Sequence, residues 1–227
     1  MQCKHFYFDL GTNVGVQIEK LYNPSCITPF QKIFENAFPE RSKVCTIGFE
    51  PNPNHVSKLQ SLSRRYLNLG YYVYVHYGFA GIENSVSKLF LNPEFANGKF
   101  NNMWSAGHKR QHTYNNTPIN VPSLNILPLL QSVPKYGNIV LKMDIEHDEH
   151  IILPALNRSG LLCKINYVVF EWHGSRKNLD NIQKTMTCTN TKIIELDDNI
   201  LCEKSQDEKN ATFQKVVKDE NNFPIFT

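Results

Sequence analysis

Apolar residues in this chain come in short runs that end in acids. Phe6, Tyr7 and Phe8 stop at Asp9, and the glycine-punctuated stretch Gly11-Thr12-Asn13-Val14-Gly15 follows at once. Residues 5–10 therefore read as a buried strand, the glycines as a sharp turn, and residues 16–21 as a helix. The figure recurs where residues 44–49 run into Glu50 and where residues 165–172 carry Glu171. In residues 139–145, apolar Leu141, Met143 and Ile145 alternate with Lys142, Asp144 and Glu146, which puts the polar set on one face of a strand.

Helical spacing fills the gaps. Val56, Leu59, Leu62, Tyr66 and Leu69 predict a helix over residues 53–69. Pro24, Pro29 and Pro39 break the segment before residue 42 into pieces. Residues 71–79 are β-rich, and 88–91 predict a short strand or hairpin arm. Residues 92–120 show no period and read as a long surface loop. A helix is expected over 123–130 with Ser123 as its cap. Another is expected over 149–156, ended or kinked by Pro154, and a third over 179–186. Strands are expected at 192–196 and 212–217. This alternation predicts one α/β domain over residues 1–227, a mostly parallel sheet with helices on both faces. Sites in such sheets form beyond the carboxyl ends of the strands, where Asp9, Glu50, Asp144 and Glu171 fall.

Composition adds exclusions. With 227 residues and 41% hydrophobic content, the chain can bury a full core. A net charge of +3 is too slight to argue for a nucleic-acid partner. No apolar run is long enough to cross a bilayer, and Asp9 interrupts the only N-terminal run that could resemble a signal peptide. None of the six cysteines forms a C-x-x-C pair. Several fall in predicted strands, where a reduced Cys packs as a small core residue, so a reducing, cytoplasmic setting is expected. Asn-x-Ser/Thr triplets at Asn115, Asn157 and Asn210 read as chance in an Asn-rich chain.

The chemistry follows from the strand ends. Glycines let the backbone approach a ligand, and a helix N-terminus offers free N–H groups to an anionic part of it. An acid ending the second strand, Glu50, is suited to ribose hydroxyls. Asp144, Glu171 and His173 could converge at one rim, holding a divalent cation or working as base and orienter. Lys142 is expected to pair with Asp144 or Glu146. His147 and His150 lie close by, His150 reading as a solvent-facing helix residue.

Together these blocks resemble the FkbM family of S-adenosylmethionine-dependent methyltransferases. The family's Asp-x-Gly-x-Asn-x-Gly loop is matched by Asp9, Gly11, Asn13 and Gly15, and its Glu-Pro-x-Pro element by Glu50, Pro51 and Pro53. Its Lys-x-Asp-x-Glu-Gly-x-Glu block is matched by Lys142, Asp144, Glu146 and Glu149, with His147 standing where the family has Gly. The Glu-containing strand is matched by Glu171. The resemblance implies a Rossmann-like, seven-stranded class I methyltransferase fold that transfers a methyl group to a hydroxyl of a sugar, glycan or glycoside. It implies cofactor contacts from Asp9, Gly11, Thr12, Asn13, Gly15, Glu50, Pro51, Phe79 and Ala80. Asp144 would serve as base or as ligand to Mg or Mn, with Glu171 and His173 in support and Lys142 in the catalytic set. Trp104, His108 and His112 in the long loop, together with His147, would face the acceptor. Two alternatives stand beside this reading. One is an NAD-type oxidoreductase, which the Gly-x-x-x-Gly spacing disfavours; the other is an inactive binding module of the same fold.

Overall fold

Tyr7, Phe8 and Leu10 are fully buried because their strand, β1 (His5–Leu10), lies in the middle of the main sheet. The computed structural model describes residues 3–23, 28–91, 106–107, 117–186 and 188–198. Beside β1 stand β2 (Val44–Glu50) and β3 (Tyr72–Tyr77) on one side. On the other are β8 (Ile139–Met143), β9 (Tyr167–Phe170) and β10 (Lys192–Glu195). The order is β10-β9-β8-β1-β2-β3, and every neighbouring pair is parallel. A small second sheet joins β4 (Phe79–Gly81), β7 (Ile119–Asn125), β5 (Ser85–Leu91) and β6 (Ala106–Gly107).

Side-chain alternation sends successive β1 residues to opposite faces. Tyr7 joins Val140 and Val169 against α1 (Val16–Tyr22), α2 (Pro29–Ala37) and α3 (Val56–Asn68), burying Ile18, Leu21, Phe30, Phe34, Leu59 and Leu62. Phe8 and Leu10 join Leu141, Met143 and Phe170 against α4 (Ile126–Ser132), α5 (Glu149–Arg158) and α6 (Arg176–Thr185). Helices thus cover both faces, as the periodicity predicts.

Several expectations are corrected. The main sheet has six strands among the described residues rather than seven, and residues 212–217 lie outside the described residues. The helix expected from Ser123 starts at Ile126, because β7 pairs with both β4 and β5 and holds 123–125 extended. Its cap is Asn125, whose Oδ1 accepts from Leu127 N at 3.0 Å. Pro154 lies inside α5 without ending it; buried Ile152, Leu153 and Leu156 anchor the helix on both sides of the proline.

The cysteines depart furthest from expectation. Cys3 is bonded to Cys45 (Cα–Cα 5.6 Å) and Cys163 to Cys188 (5.0 Å). Their absence from C-x-x-C pairs speaks only of local partners, whereas these lie 42 and 25 residues apart. The bonds overturn the expectation of reduced core thiols and with it the ground for a cytoplasmic setting, since disulfides persist in oxidising compartments. No helix among the described residues is long and apolar enough to cross a membrane.

A buried clasp ties the segment after β10 to α1 and α2. Lys20 Nζ in α1 is 2.7 Å from Asp198 Oδ1, and Asp198 Oδ2 accepts from Phe30 N at 3.0 Å in the first turn of α2. A buried ion pair needs this extra hydrogen bonding to offset its desolvation.

Candidate active site

Parallel pairing brings the carboxyl ends of β1, β2 and β8 to one edge. There the turn after β1 is sewn to β2. Gly11 N and Thr12 N both donate to Phe49 O (3.1 and 2.9 Å). Thr12 Oγ1 donates to Asp9 O (2.9 Å) and accepts from Phe49 N (3.0 Å). Gly11 has φ 77°, and a Cβ on it would stand 1.9 Å from Asp144 O, so only glycine lets the turn pass this close to β8. Asn13 is left-handed at φ 53°. Its N–H donates to Glu50 Oε2 at 2.7 Å, while Glu50 Oε1 accepts from Asn52 N at 2.8 Å. The buried Asn13 Oδ1 has no hydrogen-bond partner among the described residues.

Lys142 lies beneath this turn. Its Nζ donates to Gly11 O at 2.6 Å and stands 3.5 Å from Asp9 Oδ1 and 3.6 Å from Asp144 Oδ2. Of the two partners expected for it, it takes Asp144, and it adds Asp9. Asp9 is fully buried, and burial pushes its carboxyl up to about 6 against the pull of Lys142. Burial lowers Lys142 in turn, but Asp144 and Asp9 outweigh it and hold the ammonium above its ordinary value. Burial also raises Asp144, with Lys142 opposing.

Beyond the tip of β8, side chains take over from backbone. Glu146 and His147 are left-handed (φ 53° and 90°), and His147 holds a conformation that glycine adopts freely. Glu149, fully buried at the start of α5, secures them: Oε1 accepts from Ile145 N (2.8 Å) and Oε2 from His147 N (3.0 Å). Glu149 Oε1 also lies 3.2 Å from His173 Nδ1. Burial would raise Glu149, yet the bonds from His173 and Ile145 hold it below its ordinary value. Hydrogen bonding to Glu149 and Glu171 pushes His173 up to about 11, which favours the charged imidazole at neutral pH. His173 Nε2 stands 3.5 Å from Glu171 Oε1 and 3.9 Å from Glu146 Oε2. His150 is not solvent-facing: its ring packs on Trp172 (4.1 Å), with Nε2 3.0 Å from His173 O.

The remaining candidates scatter. Pro51 is half-buried after Glu50. Phe79 packs against Leu89 and Val121, and Ala80 in the main core, so both are buried beside the site. The His147 ring lies 5.9 Å from that of His173. Trp104, His108 and His112 lie outside the described residues. Sequence reasoning did not single out His76 or Tyr77, which with Gln60 and Val56 line a cleft of about 620 Å³ that opens beside Glu50 between α3 and β3. It gave Glu149 no role beyond a motif match.

A family model described as the methyltransferase FkbM domain matches residues 9–206. No curated protein and no solved structure matches the chain.

Proposed function

The chain belongs to the FkbM methyltransferase family, and on that premise we propose that it is an S-adenosylmethionine-dependent O-methyltransferase acting on a hydroxyl of a sugar, glycan or glycoside. The observation that carries this reading is the 2.7 Å bond from Asn13 N to Glu50 Oε2, which ties the first turn to the acid closing β2. The residues there suit the donor. Each oxygen of Glu50 accepts one backbone N–H and keeps a lone pair for a ribose hydroxyl. The orphaned Asn13 Oδ1 calls for a polar partner. The cleft beside Glu50 has the volume of a small-molecule site.

When bound, S-adenosylmethionine would supply an electrophilic methyl group. The protein's own task is then to align the acceptor oxygen and to take its proton. Asp144 is the group for the second task, because burial raises its basicity at the strand tip. Lys142 fixes Gly11 O and Asp144 in place, and His173 steadies the neighbouring acids. The disulfides support an oxidising setting for this work.

Calorimetric titration of the full chain with S-adenosylmethionine, followed by transfer of labelled methyl to a panel of sugars, tests the proposal. Saturable donor binding and labelled product are expected, with no response to nicotinamide cofactors. A folded protein that ignores the donor overturns the reading. Donor binding without transfer to any hydroxyl favours the inactive module instead.

A further inference from the structure

Around the tip of β8 the charges do not balance. Asp144, Glu146 and Glu171 face one imidazole, and the nearby ammonium of Lys142 is committed to Gly11 O, Asp9 and Asp144. One ligand atom each from Asp144, Glu146 and His173 lies within 4.8 Å of the others. All three side chains are partly exposed, so the point where they meet is reachable from solvent.

We propose that Asp144, Glu146 and His173 Nε2 bind a divalent cation of the Mg or Mn type on the acceptor side of the site. The donor set fits: two hard carboxylates and one imidazole leave positions open for water or for acceptor hydroxyls. A second feature, outside the ligand set, fits as well. Glu149 is wholly buried and holds His173 Nδ1, which turns Nε2 toward the acids. A carboxylate behind the far nitrogen of a metal-binding histidine is the usual device for fixing its ring and tautomer. Glu149 also ties Ile145 N and His147 N, so one buried side chain orients the imidazole and shapes the backbone that carries Asp144 and Glu146. Binding displaces the proton from Nε2 to solvent. A bound cation there would hold an acceptor hydroxyl and lower its pKa, easing transfer of the proton to a carboxylate.

The role of the cation rests on the methyltransferase reading, but its binding does not. The test is titration of the chelator-treated full chain with Mn²⁺ alone, read as loss of the free-ion paramagnetic resonance signal. One equivalent should bind. Glu146→Gln should weaken it at least tenfold, and Glu149→Gln about 10- to 100-fold, the range for loss of such a supporting carboxylate. Circular dichroism melts confirm that each variant is folded. Absence of Mn²⁺ binding by folded wild type overturns the proposal, as does binding that Glu146→Gln leaves unchanged. A parallel S-adenosylmethionine titration separates the ideas, since a silent donor with bound Mn²⁺ sinks only the methyltransferase reading.

Discussion

The two halves of the site are built from different materials. The half proposed to hold the donor, residues 9–15 with Glu50, is backbone chemistry: N–H groups reach Phe49 O and one carboxylate, and glycine permits the close approach to β8. The half proposed to face the acceptor, residues 144–149 with 171–173, is side-chain chemistry, with acids around one imidazole on left-handed backbone that is not glycine. Backbone geometry leaves a motif in the sequence because it restricts residue type locally. Side-chain convergence leaves a weaker trace, because it depends on strands far apart in the chain.

Lys142 joins the halves, and its loss should have the largest effect. Lys142→Met leaves Asp9 buried without its cation and should cost about 3–5 kcal/mol of stability in urea unfolding. A cost confined to donor affinity would mean that the halves are not coupled through it. Next comes pH. The carboxyl of Asp9 is raised from 3.8 to about 6, so its stabilising contribution is full below 3.8 and is lost as pH rises through about 6. Wild type should therefore lose up to about 3 kcal/mol relative to Asp9→Asn between pH 4 and 6. A flat difference curve from melts across that window would refute it.

Glu50→Gln removes a charge that accepts two backbone N–H groups. Hydrogen bonds to a charged group are worth about 1.5–3 kcal/mol, so donor affinity should fall roughly 10- to 100-fold by calorimetry. Mn²⁺ binding should hold, which keeps the halves distinct. The smallest effect belongs to His147. Both His147→Gly and His147→Ala lose the ring, but only glycine relieves φ 90°. The glycine variant should be the more stable by about 1 kcal/mol, or roughly 2–4 °C in melting temperature.

Much of this was legible in the sequence. The runs ending at Asp9 and Glu50 mark β1 and β2, and the glycine spacing marks the turn between β1 and α1. The family resemblance is borne out by the match over residues 9–206. What stayed hidden has one physical character. Cys3 with Cys45, Lys20 with Asp198, and Glu149 with His173 are partners distant in sequence, and the fold alone brings each pair together. Asn125 was missed for a different reason: Ser123 offered an equally good cap, and only pairing with β4 and β5 decided between them.

The disulfides have a consequence for handling the protein. Cys45 lies near the start of β2, Cys3 precedes β1, and Cys163 and Cys188 precede β9 and β10. Parallel strands put all of these at the foot of the sheet, while the proposed site lies at its head. A reducing agent would therefore act as a dial on how long the molecule survives heat or protease, with little influence on each turnover while it lasts.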